Sequence, residues 1–202
     1  MNTNWYAIAL FAHILGVLGM FIGMGAQWII LLRLRQSRAQ AQAREWSGLV
    51  GPVARVGGVS GAVLVVAGLY MMATAWGIST PWLDVALGGL ALMLALSAGF
   101  STRRLLAIQR ALAALAVEPN VGSIPPALRR QIDAPPLWIA TQIVLAIALG
   151  IVFLMTVKPD LFGSLLALAI AIALGAIVGG ATSRNVPRQR AATLPTSEGA
   201  VL

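Results

Sequence analysis

Five long apolar runs restrict what this chain can fold into. They cover about residues 5–32, 56–76, 82–100, 137–157 and 161–181. A helix needs about 20 mostly apolar residues to cross the hydrocarbon core of a bilayer. Each run is close to that length or longer, and is bounded by charged, proline or aromatic residues. The pattern predicts an all-α fold: a polytopic membrane helix bundle with five transmembrane helices in one domain, residues 1–181, followed by a disordered tail, residues 182–202.

The composition indicates that lipid, rather than water, surrounds most of the chain. Of the 202 residues, 59% are hydrophobic and only 10% are charged, whereas a soluble domain carries about 25% charged residues. Cysteine is absent, which excludes disulfides, thiolate metal sites and cysteine nucleophiles. We also find no paired carboxylates, phosphate-binding loop or serine triad. The sequence therefore predicts a membrane protein without catalytic activity of its own.

The basic residues predict how the bundle is oriented. All thirteen arginines fall between spans one and two, between spans three and four, or after span five, and Lys158 alone falls on the other side. Cytoplasmic connections carry an excess of basic residues, so we expect the N-terminus outside and the C-terminus in the cytoplasm. The expected location is a bacterial inner membrane, crossed several times. The net charge of +8 is then explained by the membrane orientation of the chain. We therefore expect the lipid bilayer, and not nucleic acid, as the partner.

The connections between spans differ in length. Spans two and three are joined by about five residues around GISTP, and spans four and five by Lys158-Pro159-Asp160. Such short connections predict that the joined helices pack as antiparallel neighbours. On the arginine side, RLRQSRAQAQAREW and TRRLLAIQRALAALA are rich in helix formers. We expect them to continue spans one and three as helices, the second with an apolar stripe at Leu105, Ile108, Leu112 and Leu115.

One face of the first span carries the candidate functional residues. Ionisable residues inside a membrane are functional candidates by default, and His13 is the clear case. Successive residues of an α-helix are rotated by about 100° around its axis. This rotation places Met20, Met24 and Gln27 on the same face as His13, and the four together are the candidate polar or ligand side chains. Thr141 and Gln142 in span four are further candidates for hydrogen bonds between helices.

Four interpretations of His13 remain open. The side chain is a packing residue hydrogen-bonded to a neighbouring helix, an axial haem ligand, a Cu(I) ligand together with thioethers, or part of a proton relay. Soft sulfur ligands select Cu(I), which is why a site with thioethers would hold that ion. With a single histidine in the chain, a site with two histidines needs a partner subunit. No cofactor is expected under the first interpretation.

Small residues recur at the spacing that lets membrane helices pack closely. They are Gly19 and Gly23 in span one, Gly57 and Gly61 in span two, and Ala171, Gly175 and Gly179 in span five. These rows predict helix contacts, either within the bundle or with a second protomer.

The first span, FAHILGVLGMFIGMGAQW, resembles the opening helix of a family of bacterial predicted integral membrane proteins of unknown function. More distantly, it is similar to copper-resistance protein D. The segments AGLYMMATAWGISTPWL and IVFLMTVKPDLFGSL fit the same family. The resemblance implies an inner-membrane helix bundle without an established activity. The chain departs from it in having GMGAQW in place of a W-x-G-G pattern, and in lacking the further histidines of copper-resistance proteins.

Three functions are compatible with these features. The leading hypothesis is a scaffold or accessory subunit that acts in a homo-oligomer or in a larger membrane complex. The second is a haem- or copper-handling membrane protein that uses His13. The third is a small permease, which requires polar residues along a path through the bundle.

Overall fold

The computed structural model describes residues 4–76, 80–115 and 122–184. In these residues the chain is helical and contains no strand. The helices are α1 (Trp5–Gln36), α2 (Gln40–Gly48), α3 (Val50–Met71), α4 (Pro81–Leu96), α5 (Arg103–Ala114), α6 (Pro126–Ile132), α7 (Pro135–Val157) and α8 (Leu161–Arg184). Two π-helical segments, Met72–Trp76 and Ser97–Thr102, extend α3 and α4.

Five helical stretches are long and apolar enough to cross a membrane, which confirms the predicted number of spans. They are Trp5–Gln36, Gln40–Ala75, Pro81–Ala114, Pro126–Val157 and Leu161–Arg184. The last stretch continues beyond residue 181, where we expected it to end. The rest of the predicted tail, and most of the GISTP connection, lie outside the described residues.

The helices pack in two groups. α1 packs along α3, whereas α7 packs along α8, and α4 rests against both α7 and α8. α4 makes only marginal contact with α3, so the prediction that these two pack as neighbours is wrong. A short connection brings the ends of two helices together but does not decide which faces pack. Here Gly89 of α4 fits against Leu168 of α8, whose Cδ1 lies 3.2 Å from where a Cβ on the glycine would stand.

The expected continuation of span one is interrupted after Gln36. Ser37 leaves the helical conformation, at φ −62° and ψ 130°, and a separate helix α2 follows. The Ser37 hydroxyl donates to the Arg33 carbonyl at 2.7 Å, and Arg129 of α6 donates to the Ser37 carbonyl. The prediction of one continuous helix is therefore wrong, because contacts with a segment distant in sequence outweigh the helix propensity of these residues.

The expected continuation of span three is confirmed. α4, the π-helical segment Ser97–Thr102 and α5 form one helical stretch. On α5, Leu105, Ile108 and Leu112 are buried as the apolar stripe predicted. No local sequence pattern predicts the π-helical segment, since a π turn inside a helix depends on its neighbours.

Three arginines bind the carbonyl ends of three helices. Arg35 donates to the carbonyls of Thr182 and Ser183 at the end of α8, at 3.1 and 2.9 Å. Arg44 donates to Leu112 and Leu115 at the end of α5, and Arg129 reaches the end of α1. The last carbonyls of a helix lack intrahelical partners and carry partial negative charge. These contacts therefore join α1 to α8, α2 to α5 and α6 to α1 at one end of the bundle, which we call the arginine end.

The largest apolar cluster also lies at the arginine end. Its fully buried members come from α1, α2, α5, α6 and α7, and Trp138 donates through its indole nitrogen to the Ile132 carbonyl at 3.0 Å. Trp28 packs edge-on against Trp138 with ring centroids 5.3 Å apart. At the opposite end, which we call the lysine end, α7 closes at Lys158, whose φ of 53° ends the helix. The Asp160 carboxylate then accepts from the Gly163 amide and caps α8.

Candidate functional site

His13 is fixed by a hydrogen bond to the backbone of α3. Its Nδ1 lies 3.0 Å from the carbonyl oxygen of Leu64. A carbonyl oxygen only accepts, so Nδ1 carries the proton, and in the neutral ring Nε2 then holds the lone pair. Nε2 has no hydrogen-bond partner in the described part of the chain. The contact is the one expected of a packing histidine, and it also leaves Nε2 open to a ligand.

Gly68 makes room for the imidazole. A Cβ at this position would stand 3.2 Å from both Nδ1 and Cε1 of His13, closer than side chains normally pack. The Nδ1–Cε1 edge of the ring therefore lies directly on α3, with Gly68 beside it. Sequence reasoning missed Gly68, since nothing in the α3 sequence indicates which glycine faces the histidine.

The ring of His13 lines a cleft of about 430 Å³ between the two helix groups. We call it the His13 cleft; its walls come from α1, α3, α4 and α7. Its volume falls within the ~300–1,000 Å³ typical of small-molecule sites. The cleft exists because α3 and α4 do not pack together. Its polar members are Tyr6, His13, Thr156 and Lys158.

Methionines are concentrated around this cleft. Five thioethers line it together with the histidine: Met20, Met71, Met72, Met93 and Met155. Sequence reasoning placed only Met20 and Met24 with His13, because helical spacing relates residues on one helix and not across helices. The five come from α1, α4, α7, the end of α3 and the π turn that follows it.

The predicted face of α1 is divided between two cavities. His13 and Met20 line the His13 cleft, whereas Met24 and Gln27 line a smaller cavity nearer the arginine end. In this second cavity they meet side chains that the sequence did not connect with them: Ser97, Ser101, Thr141 and Gln142. The Thr141 hydroxyl donates to Leu137 of its own helix at 2.8 Å, and not across helices as we expected.

The small-residue rows make close contacts at most of the predicted positions. Gly19 lies against the Ser60 side chain, and Gly23 lies against Gly57, whose Cα would be 3.2 Å from an added Cβ. Gly175 and Gly179 lie against the backbone of α7, and Ala171 contacts Gly150. Gly61 differs, because the space beside its Cα is open.

A second concave surface lies on α1 and α3. It is an open groove of about 710 Å³, which we call the alanine groove. Small side chains form part of its lining, and larger ones such as Trp5 and Tyr70 border it. The small members are Ala9, Ala12, Ala62 and Ala67.

Among the described residues, no group of three histidine, cysteine, aspartate or glutamate side chains could hold a metal ion. Comparisons with protein-family models, curated proteins and solved structures returned no match. The resemblance drawn from the first span therefore stays a prediction.

Proposed function

We propose that the chain is a non-catalytic accessory subunit or scaffold of a bacterial inner-membrane assembly, formed with other membrane proteins or with further copies of itself. The observation that carries this proposal is the pair formed by α1 and α3. We call this pair the two-helix arm. Towards the lysine end it has a concave surface on each side, the His13 cleft and the alanine groove.

Burial distinguishes the two-helix arm from α4 and α7. In the most apolar 18-residue window of each stretch, 11% of residues are buried in α1 and in α3, against 28% in the stretch that contains α4 and 50% in the stretch that contains α7. α8 is as exposed as the arm, at 11%. Membrane helices associate through close packing of small residues, and the alanine groove presents such residues on the exposed side of the arm. A transmembrane helix of a partner could pack against these small residues. No other described helix of this chain covers the groove.

Cysteine cross-linking tests this proposal cleanly, because the chain has no native cysteine. Ala62→Cys places a single thiol in the alanine groove, and Ala173→Cys places one on the exposed face of α8 as a matched control. In native membranes we expect cross-linked species from position 62 and none from 173. A dimer of this chain identifies a homo-oligomer, and a heavier mixed species identifies a different partner. Absence of cross-links from position 62, or equal yields from both, contradicts the proposal.

The proposed orientation places the arginine end in the cytoplasm. In the structure the described arginines lie around the end of α1, on α2, at the start of α3, on α5 and α6, and at the end of α8, whereas Lys158 lies at the other end. This arrangement matches the distribution of basic residues around membrane helices. A reporter enzyme that is active only in the periplasm, fused after Leu202, should stay inactive. Activity would contradict the orientation.

A second candidate function, haem or copper handling, is favoured by the surroundings of His13. A histidine that donates Nδ1–H to a carbonyl and keeps Nε2 free has the usual arrangement of a metal-ligating imidazole. The five methionines of the His13 cleft add thioethers, which suit Cu(I). One histidine with thioethers fits a Cu(I) site or a haem with one histidine ligand. We would measure the absorbance spectrum and metal content of purified protein, with His13→Ala as the control. A colourless, metal-free preparation rules this candidate out.

The third candidate, a small permease, has weaker support. An apolar cluster formed by Met93, Val144, Ile147 and Ala148 separates the His13 cleft from the smaller cavity. A permeating solute would have to cross this barrier. Uptake of a solute into vesicles that contain the purified protein would support the permease function.

A further inference from the structure

The smaller cavity lies inside the bundle, where α1, α7 and the π-helical segment meet. We call it the Ser101 cavity. It brings together five polar side chains in otherwise apolar surroundings: Gln27, Ser97, Ser101, Thr141 and Gln142. Polar groups in a membrane interior need hydrogen-bond partners, because the surrounding lipid offers none.

Ser101 lacks such a partner. Its side chain is 1% exposed, and its hydroxyl oxygen is buried without a hydrogen bond to any described residue. The side-chain amides of Gln27 and Gln142 also make no hydrogen bond within the described part of the chain. Buried polar groups in folded proteins are nearly always satisfied, by protein or by ordered water. The buried Ser101 hydroxyl without a partner among the described residues, beside two amides that also lack one, indicates that something else binds in this cavity.

The size of the cavity limits the occupant to a very small molecule. It leaves only about 20 Å³ in which the centre of a water-sized molecule can lie, so a water molecule fits and a larger ligand does not. A buried water also needs two to four polar partners, which this cavity supplies.

Charge argues against an ion. No carboxylate lines the cavity. No described arginine or lysine lines it either, so no charged side chain in its wall would balance the charge of an ion.

We propose that the Ser101 cavity is a hydration site that holds one ordered water, bound to the Ser101 hydroxyl and bridging to the amides of Gln27 and Gln142. The wall carrying Ser101 is the π-helical segment Ser97–Thr102, a type of irregularity that is common at functional sites. This site lies outside the surfaces used by the proposed accessory-subunit function, and the proposal does not depend on that function.

Replacing Ser101 by alanine tests the proposal, because the direction of the resulting change in thermal stability depends on whether water is bound. If water binds Ser101, then Ser101→Ala removes one of its partners and lowers the thermal unfolding midpoint, by about 2–4 °C for a chain of this size. If the hydroxyl has no partner, the same substitution removes an unsatisfied group and leaves the midpoint unchanged or raises it. Ser164→Ala is the matched control. That serine is also fully buried, but its hydroxyl donates to the Pro159 carbonyl, so its loss should lower the midpoint in either case.

Solid-state NMR can detect the proposed water directly, and so distinguishes a hydrated cavity from one in which Ser101 only fills space. In bilayers, solid-state NMR transfer from water protons to the side-chain amide of Gln142 should be rapid, and Ser101→Leu, which fills the cavity, should abolish it. Lack of transfer in the unsubstituted protein overturns the proposal. A midpoint that rises with Na⁺ or K⁺, and only while Ser101 is present, would assign the cavity to a cation and overturn it as well.

Discussion

The two ends of this bundle are held together by different means. At the arginine end, three guanidinium groups bind the carbonyl ends of α1, α5 and α8 over a buried apolar cluster. Towards the lysine end, the two-helix arm separates from α4, α7 and α8, and the His13 cleft lies between them. Arginine hydrogen bonds between helices close the first region. In the second, the two helix groups stay apart and each is held by its own contacts, such as Gly16 against Leu64 and Gly89 against Leu168.

The difference shows that basic residues serve two purposes here. Their distribution among the connections predicts orientation, which requires only that they remain on one side of the membrane. Arg35, Arg44 and Arg129 in addition occupy defined positions at helix ends. Exposed arginines such as Arg130 make no such contact. The comparison predicts that substitutions at the arginine end cost far more stability than substitutions around the cleft.

The largest effect is expected at Arg35. Arg35→Ala removes two hydrogen bonds to the end of α8 and the ion pair with Asp133, whose atoms lie 3.6 Å apart. Hydrogen bonds of a charged group are worth about 1.5–3 kcal/mol each, so losing two of them should cost about 3–6 kcal/mol. The ion pair adds less, because Asp133 is 26% exposed. The free energy of unfolding in mixed micelles measures this loss, with Arg130→Ala as the exposed control. Equal losses for the two variants would show that the arginine end depends on charge and not on these contacts.

A pair of leucines compares the two regions directly. Leu137 is fully buried in the apolar cluster, and Leu137→Ala should cost about 2–5 kcal/mol. Leu87 lines the His13 cleft and is 37% exposed, so Leu87→Ala should change stability by about 0.5 kcal/mol or less. Unfolding of both variants under the same conditions gives the contrast. A similar cost at both positions would mean that the cleft is closed in the membrane.

Adjacent glycines of α8 test the small-residue packing. A Cβ at Gly179 would stand 2.6 Å from the Cα of Ile139, whereas one at Gly180 meets nothing within 4 Å. We expect Gly179→Ala to cost about 1–3 kcal/mol through overpacking. Gly180→Ala should be neutral or slightly stabilising, because alanine favours helix over glycine. Unfolding experiments on both variants decide this, and a neutral Gly179→Ala would contradict the tight α7–α8 contact.

The smallest effect is expected at His13. His13→Leu removes one hydrogen bond, worth about 0.5–1.5 kcal/mol, in a ring that is only partly buried. The same measurement of unfolding applies, with His13→Gln as the variant that retains a donor. A loss several times larger would indicate that His13 holds the two-helix arm in place, and would set aside a role in binding a ligand.

Much of the fold was predictable because it depends on local patterns. The apolar runs, the prolines that begin α4, α6 and α7, and the stripe of α5 all follow from residues close together in sequence. The break after Gln36 was not predictable, since it depends on Arg129, far away in the chain. The candidate site was predictable only in part. His13 and Met20 share a cleft as their spacing on α1 suggested, but Met24 and Gln27 belong to a different cavity.

Five apolar spans, with the arginines on one side, could be predicted from the chain alone, because span length and charge are properties of single segments. Which helices pair, the cleft between α3 and α4, and the meeting of Ser101 with Gln27 and Gln142 inside the bundle depend on how the helices pack. In lipid, apolar helices gain little from burial against one another, so pairing depends on shape. Shape depends on which small residues meet across helices, and that is not a property of any one segment.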